Sequence, residues 1–472
     1  MCKRLLVLSG IVLVLLTQAL IGTENLDVQD LKSYALEKVE IRKNLMIEVS
    51  DALWGYAEIA LLEYKSSKLL ADIAEKEGFK VERGVADLET AFVAVYGSGK
   101  PIIGILAEYD ALPGLSKDGA GQGCGHNLFG AGSLGAALVL KDLIHEGKIT
   151  GTLKFYGCPA EEDVGGKLYM AREGLFDDLD ACLAWHPSYE TSVDVTGSQA
   201  IDDIYIEFFG RASHAAFDPW QGRSALDALE MATFGINLLR EHVKPTVRMH
   251  YVVLEGGSVP NVVPEYSKLW LWVRDSTRTG VKSVLSRIEN IVAGSAMATE
   301  TTSKIENLGS YHEMLVNLTG SNVMQKNLEW LGPIEYTLEE VEFANKLQKE
   351  TQVAEKGMDS SIKKLQDPNK EPEGGSTDVA EVSWITPTLH ISTTCAPFEI
   401  PWHSMAVVTS SKHSVGYKGM FLATKVLAAT AIDLFVNPNI LVEMKKEFDA
   451  SRNGYVYTSG ISKDKKPPKR TK

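Results

Sequence analysis

The sequence predicts an α/β protein in which a sheet flanked by helices carries an inserted, smaller α+β unit. Helical and strand patterns alternate from about residue 49 to residue 180, which favours a sheet with a largely parallel core. Residues 201–309 instead follow the order β-α-β-β-α-β of a ferredoxin-like unit. The length of 472 residues also favours two domains, because single cores stop growing at roughly 250–300 residues.

The N-terminus is predicted to be an export signal. A short basic start, "MCKR", precedes the apolar run "LLVLSGIVLVLL", and "TQALIG" and the acidic "TENLDVQD" follow. This pattern is typical of a secretory signal peptide over residues 1–22, with cleavage after Ala19 or Gly22. An uncleaved anchor is the alternative, since Leu5 to Gly22 can just reach across a bilayer. We therefore expect an exported, periplasmic protein, or else a membrane-anchored one.

Residues 35–199 are predicted to form the first part of a catalytic domain. Two helical patterns lie between Ser50 and Phe79, and a third begins near Leu128 and stops at Gly147. The segments "TAFVAVYG", "PIIGILAEYD", "GTLKFYGCP" and "DACLAWHP" are typical of strands.

Residues 200–311 are predicted to be the inserted unit, and residues 312–440 the second part of the catalytic domain. In the insert, four strand patterns alternate with two helical ones, beginning with "DDIYIEFFG" and ending with "TSKIENLG". "LEEVEFANKLQKE", "TPTLHIST" and "GYKGMFLATKVLAATAIDLFV" predict helix, strand and helix in the second part. Residues 336–375 contain no motif with a recognisable role, and residues 460–472 are typical of a disordered basic tail.

Composition excludes one class of protein. The formal net charge of −14 argues against nucleic-acid binding, which needs basic surface for the phosphates. Five cysteines are present, and Cys2 lies in the predicted signal peptide. The other four are Cys124, Cys158, Cys182 and Cys395. A chain of this size does not depend on disulfides, so each thiol can be considered for another role.

Side chains of metal-ligand type follow several predicted strands. In open α/β sheets, sites form beyond the carboxyl ends of the strands, so these residues are expected to converge. Singly, each has an ordinary explanation: "EE" is most often solvated surface, and a lone histidine most often structural. The residues are Asp110, Cys124, His126, Glu161, Glu162, His186 and His403.

The mixture of donors favours a catalytic metal site. Structural zinc prefers a closed, sulfur-rich set, whereas one thiol among imidazoles and carboxylates suits an open site with a metal-bound water. One cysteine, three histidines and one of the two adjacent glutamates make five ligands. Five ligands suit two metals about 3.5–4 Å apart, with one ligand bridging. Cys124 in "GQGCGHN" can bridge, because the neighbouring glycines let the backbone approach. Of the adjacent Glu161 and Glu162, one can bind metal and the other can transfer a proton.

These motifs together resemble a known family, the M20 metallopeptidases. The resemblance rests on "AEYDALPG", "GQGCGHN", "YGCPAEED", "LAWHPS", "ASHAA" and "NVVP". More narrowly, the motifs resemble the amidohydrolase branch that has "GCGH". The segments "STDVAEVSW" and "IPWHS" are most similar to a group acting on aminobenzoyl-glutamate. The resemblance covers about residues 40–440. It implies a dinuclear-metal, exopeptidase-like sheet sandwiched by helices, with the insert as a lid and dimerisation domain.

The resemblance also implies residue roles. Glu161 would be the general base, and Asp110 would orient a ligand; Glu108 stands where other branches have a histidine. His214 in "SHAA" and Asn261 in "PNVV" would stabilise the oxyanion and grip the substrate carbonyl. Because both belong to the lid, they would reach the site either when the lid closes or from a neighbouring subunit, and our hypothesis is that they act in the active site of the partner subunit. The implied metal ligands are Cys124, His126, Glu162, His186 and His403.

We therefore expect a homodimeric amidohydrolase with two divalent metal ions per subunit, Zn²⁺, Mn²⁺ or Co²⁺. The expected substrates are N-acyl amino acids or dipeptides, with p-aminobenzoyl-glutamate as the leading example. The alternatives are a periplasmic dipeptidase or aminoacylase of the same fold, and a catalytically silent partner subunit. The presence of Glu161 beside a complete ligand set argues against a catalytically silent subunit. A related second subunit is a further expected partner.

Overall fold

A seven-stranded sheet forms the centre of the computed structural model, which describes residues 27–116, 119–368, 372 and 375–470. The predicted signal peptide lies outside the described residues. The strands are β1 (Lys80–Arg83), β2 (Phe92–Ser98), β3 (Ile102–Ala107), β4 (Leu112–Ser116), β5 (Gly119–Gly121), β6 (Gly151–Gly157), β7 (Ala181–Ser188), β8 (Ser192–Val193), β9 (Ala200–Phe209), β10 (Arg248–Glu255), β11 (Tyr266–Asp275), β12 (Thr302–Tyr311) and β13 (Thr388–Thr394).

Helices cover this sheet and one face of a second, smaller one. The α-helices are α1 (Val28–Tyr56), α2 (Tyr64–Lys76), α3 (His126–His145), α4 (Gly166–Arg172), α5 (Ala225–Leu239), α6 (Arg278–Ala298), α7 (Leu318–Leu331), α8 (Leu338–Glu350), α9 (Val379–Ser383), α10 (Met405–Ser410), α11 (Ser414–Val436) and α12 (Pro438–Arg452). Short 3₁₀ turns are formed by Val85–Asp87, Pro219–Gln221 and Arg240–His242.

The large sheet confirms the predicted parallel core. Its strand order is β1-β2-β6-β3-β7-β13-β8. The four strands from β6 to β13 in this order run parallel, and β1, β2 and β8 pair antiparallel at the two sides. The carboxyl ends of the four parallel strands therefore meet at one edge, where a site is expected.

The core of the large domain is built around α3 and α11. Both helices are long and apolar enough to cross a membrane, but they are mostly buried inside the protein. They pack on each other and on α1. α1 begins at Val28, well before the helical pattern predicted from Ser50. Its buried residues recur at helical spacing in a stretch that the prediction did not cover: Leu31, Ala35, Val39, Met46, Val49 and Leu53.

The inserted unit has its own sheet and core. Its four strands lie in the order β10-β11-β9-β12 and are all antiparallel, as in a ferredoxin-like unit. The sheet begins at Ala200 and ends at Tyr311, the bounds predicted for the insert. α5 and α6 cover one face, and a separate apolar cluster lies between them and the strands. This cluster includes Ile204, Phe208, Leu229, Val273 and Ile288.

The C-terminal segment differs from the disordered tail that its composition predicts. Up to Arg470 it lies against the body of the protein. The Lys465 ammonium donates to the carbonyls of Asn307 and Leu308, and the Arg172 guanidinium donates to the carbonyl of Ser462. Backbone carbonyls supply these partners, and composition alone does not reveal them.

Candidate metal centre

Cys124 and His126 enter the site through a tight turn at the start of α3. Gly125 has a φ of 79°, in the left-handed region that favours glycine. A Cβ on Gly123 would lie 2.1 Å from a methyl carbon of Leu115. The backbone conformation therefore favours glycine at Gly125, whereas a larger residue at Gly123 would require the Leu115 side chain to move.

The predicted ligands converge in two overlapping groups. Donor atoms of Cys124, His126 and His186 all lie within 4.8 Å of one another, and so do those of Cys124, Glu162 and His403. The Cys124 Sγ is 3.3 Å from Nε2 of His186, and Nε2 of His403 is 3.5 Å from Oε2 of Glu162. Cys124 is common to both groups, which is the position a bridging ligand needs.

Neighbouring acceptors orient two of the imidazoles. Nδ1 of His126 lies 2.9 Å from Oδ1 of Asp110, and Nδ1 of His186 lies 2.6 Å from the carbonyl oxygen of Pro187. With Nδ1–H donating in both rings, each Nε2 presents its lone pair to the site. Asp110 also accepts the backbone N–H of Glu162 at 3.0 Å, so it orients two of the predicted ligands.

The donor atoms fit divalent metal ions. His126 Nε2 and Glu162 Oε1 are buried, 4.0 Å apart, and have no hydrogen-bond partner among the described residues. Buried polar atoms are normally paired, so converging lone pairs without a donor indicate a place for a cation. A set of sulfur, nitrogen and oxygen donors suits Zn²⁺, Mn²⁺ or Co²⁺.

The charges of the site lead to the same conclusion. Burial and the neighbouring Glu108 raise the pKa of Glu161 well above its ordinary value, and burial also raises the pKa of Glu162. Burial raises the pKa of the Cys124 thiol, and the charge of Glu162 raises it further. Burial and His126 lower the pKa of His186 to about 4, which keeps this imidazole in the neutral form that binds metals. A divalent cation would ionise the acids.

A buried ion cluster beside the site was not predicted. The Lys167 side chain is fully buried, and its ammonium donates to Glu108 at 2.6 Å and to Asp378 at 2.7 Å. Burial opposes the charge, but Asp378 and Glu108 raise the pKa of Lys167 well above its ordinary value. The one sequence signal was a single lysine among glycines and apolar residues in "GGKLYM".

Glu63 was also missed, although it supports the loop that carries Glu161. Ala160 has a φ of 60°, which is unfavourable for a residue other than glycine. Glu63 accepts the Ala160 N–H at 2.8 Å and the Thr90 hydroxyl at 2.9 Å. Burial and the charge of Asp110 raise the pKa of Glu63 to about 8. In the sequence it falls within a helical pattern, which gave no reason to single it out.

Two adjoining cavities meet at the candidate centre, and Glu161, Glu162 and His403 line both. The first, about 400 Å³, extends towards the insert and is lined by Trp272 and Arg274 among others.

The second cavity, about 590 Å³, also contacts Cys124 and His186, and Tyr189 and Trp402 form an aromatic wall. The predicted ligands therefore border two spaces that differ in their lining.

His214 and Asn261 lie apart from these cavities. Both are exposed on the insert, and neither lines either cavity in the described part of the chain. They lie beside each other, since the Ala215 N–H donates to the Asn261 carbonyl oxygen at 3.0 Å. One chain alone therefore does not bring them to the predicted ligands.

Comparisons with known proteins agree with the motifs. A family model described as peptidase family M20/M25/M40 matches residues 104–399. The chain is 33% identical to one of the two named components of the Escherichia coli p-aminobenzoyl-glutamate hydrolase, over 93% of this chain and 99% of that protein. It is 29% identical to a mouse Xaa-Arg dipeptidase, over 89% and 92%.

A dinuclear metal-binding M20 peptidase from Bacillus subtilis shares the fold. Its TM-score is 0.58 at 16% identity, with 84% of this chain and 99% of that one covered. These matches confirm the predicted resemblance and the predicted fold.

Chelation of divalent metals is expected to lower the thermal unfolding midpoint, increasingly as the pH rises. The folded-state pKa values of Glu161 and Glu162 are raised, so the folded chain binds protons that the unfolded chain has released. The stability that this proton binding gives the folded chain is fully present below the ordinary glutamate pKa of about 4.3. It is lost as the pH rises through the raised pKa values of the two glutamates. Thermal melts from about pH 4.5 to 8, with chelator and with added Mn²⁺ or Zn²⁺, measure it. If the melting temperature changed with pH in the same way with chelator and with added metal, the prediction would be wrong.

Proposed function

The chain belongs to peptidase family M20/M25/M40, and from this premise we propose that it is a dinuclear metal-dependent amidohydrolase acting on N-acyl amino acids or dipeptides. The observation that carries the proposal is the position of Cys124, whose sulfur belongs to both groups of donor atoms. The leading substrate is p-aminobenzoyl-glutamate, named for the E. coli relative. Dipeptides are the second candidate, supported by the dipeptidase relatives.

Two ions per subunit would be Zn²⁺, Mn²⁺ or Co²⁺. When bound, they supply a polarised substrate carbonyl and a water of lowered pKa. The residues that would hold them are Cys124, His126, Glu162, His186 and His403.

Glu161 is proposed as the general base. Its carboxylate lines both cavities, so it can reach a substrate that lies across them. Its raised pKa suits a group that takes a proton from water and then gives it to the leaving amine. Adjacent Glu162 faces His126 and His403 instead, as a ligand does.

Arg274 supports a substrate with a free carboxylate. Its guanidinium is partly buried in the first cavity, donates to the Ser376 hydroxyl at 3.2 Å, and pairs with no carboxylate among the described residues. Burial lowers the pKa of Arg274, and no anion in the described part of the chain offsets this. An amino-acid carboxylate would supply the missing charge, while Tyr189 and Trp402 offer an aromatic acyl group a surface in the second cavity.

Exposed apolar residues on the insert support a homodimer through this lid. β10 is an edge strand of its sheet in the described residues, and its Val252, Val253 and Leu254 are exposed. Phe234 and Leu238 of neighbouring α5 are 67% and 57% exposed. Edge strands and apolar patches of this kind are usually covered. A second, related chain is the alternative partner, since the E. coli relative is itself named as one component of a hydrolase that has another.

His214 is proposed to serve the active site of the partner subunit, together with Asn261. Its Nδ1 accepts the N–H groups of Ala216 at 3.2 Å and Phe217 at 3.1 Å. The proton is therefore on Nε2, which faces away from these contacts as a donor suited to an oxyanion.

Glu161→Gln is expected to keep its metal and lose about 10²–10⁴-fold in turnover, because it removes the base but no ligand. Glu162→Gln, the matched control, should instead lower metal content. Metal analysis and amine release from p-aminobenzoyl-glutamate, N-acetyl amino acids and dipeptides with C-terminal arginine measure both effects.

Near-full activity of metal-loaded Glu161→Gln would refute its role as the base. If the wild-type chain with each metal cleaved no substrate on the panel, the silent-subunit alternative would be favoured.

Mixing two inactive variants should partly restore activity. Glu161→Gln and His214→Ala homodimers each lack one group in every site, but a heterodimer has one site with both. Refolding them together and measuring amide hydrolysis at known heterodimer fraction tests this. If heterodimers form and no activity returns, His214 does not act across the interface.

Export is proposed from the N-terminal pattern alone. The mature chain should begin at or near Leu20 or Thr23, and N-terminal sequencing of protein from the native host would show it. A chain still beginning at Met1 would favour the membrane anchor.

A further inference from the structure

Glu108 lies against the candidate centre but is not one of the five predicted ligands. It follows β3 and is only 1% exposed. Its Oε1 accepts the Lys167 ammonium at 2.6 Å, while its Oε2 is buried without a hydrogen-bond partner in the described residues. That free oxygen lies 3.2 Å from Nε2 of His126, which is also without a partner there.

The contact between Glu108 and His126 is not a formed hydrogen bond. Asp110 accepts from Nδ1–H of His126, so Nε2 carries a lone pair when the ring is in the neutral form that binds metals. A carboxylate oxygen is likewise an acceptor. At 3.2 Å in a buried place, these two atoms need either a proton or a metal cation between them.

The separation suits two ligands of one ion. Nitrogen and oxygen ligands lie about 2.0–2.2 Å from Zn²⁺, so two neighbouring ligands of one ion are roughly 3–3.5 Å apart. Donor atoms of Glu108, His126 and Glu161 also lie within 4.8 Å of one another.

The Glu108 carboxylate is held in this orientation from behind. Lys167 binds its other oxygen, and Asp378 fixes Lys167 through both the ammonium at 2.7 Å and the backbone N–H at 2.9 Å. The free oxygen is thereby directed at His126. A buried ammonium fixed by two carboxylates is costly to assemble, which favours a role beyond packing.

We propose that Glu108 is a further metal ligand, whose Oε2 binds the same divalent ion as Nε2 of His126. This rests on the proposed metal centre and adds one oxygen ligand to it. Glu161 keeps its place as the base, because it lines both cavities, whereas Glu108 lines neither.

The test is metal binding by the full chain, measured separately from activity. The wild type, Glu108→Gln and Asp378→Asn are stripped with chelator and titrated with Co²⁺ by calorimetry and visible absorption. Asp378→Asn is the matched control, because Asp378 touches Lys167 but not His126. In Glu108→Gln, one binding step should weaken at least about tenfold and the cobalt absorption bands should change. In Asp378→Asn, the support of Glu108 is loosened but its carboxylate remains, so any weakening should leave the cobalt bands as in the wild type.

Three results would overturn the proposal. One is wild-type affinity and unchanged bands in Glu108→Gln; another is equal weakening with unchanged bands in both variants, which would indicate a structural role. If circular dichroism shows that Glu108→Gln does not fold, Glu108→Asp replaces it and should keep cobalt binding with shifted bands. The third overturning result would be wild-type bands in Glu108→Asp. A wild type that binds cobalt but cleaves no amide would refute the proposed function and leave this ligand in place.

Discussion

The concentration of acidic side chains at one sheet edge is the constraint on which the rest of this site depends. Four carboxylates there are at most 1% exposed, and Glu161 and Glu162 line both adjoining cavities. Taking charges out of water is costly unless each is compensated. Lys167 is the buried ammonium that the described residues place among them, and it contacts two. The buried four are Glu63, Glu108, Asp110 and Asp378.

The carboxylates differ in how their neighbours compensate their negative charge. Asp110 is buried, which opposes ionisation, but His126 lowers its pKa below the ordinary value. Glu63 is held by two neutral donors, and its pKa of about 8 keeps it largely protonated at neutral pH. For Glu161 and Glu162, burial outweighs the neighbouring imidazoles, and their pKa values are raised. Cations bound from solution are the compensation that fits them, and this links the local chemistry to the family assignment.

The part of this arrangement that follows from local sequence was predictable. Cys124, His126 and Glu162 follow strands or a glycine-rich turn, and the parallel core brings such positions to one edge. Lys167 and Glu63 were not predictable in the same way, because their roles are created by partners 59 to 211 residues away along the chain. The four-stranded insert was predicted from its strand order, but residue order does not show that Arg274 faces the cavity. Contacts of the C-terminal segment escaped prediction because they involve backbone atoms.

Backbone strain adds a reason for the site to stay assembled. Ala160 precedes the proposed base with a φ of 60°, and His403 has a φ of 54°. Such conformations persist only where surrounding contacts hold them. Glu63 binds the N–H of Ala160, and the N–H of His403 donates to the Gly123 carbonyl at 3.2 Å, in the turn that carries Cys124. Each strained residue is thus held by a hydrogen bond to a distant part of the chain, which keeps the base and the ligands in position.

The position of His403 then indicates how substrate reaches the centre. Its side chain is 52% exposed, whereas that of His126 is fully buried. The ligand set is therefore closed on the α3 side and open on the His403 side, where both cavities begin. A substrate entering there would have its amide beside Glu161, its carboxylate towards Arg274 and its acyl group towards Trp402. A lid residue arriving from a second chain would place a further donor for the developing oxyanion at this opening.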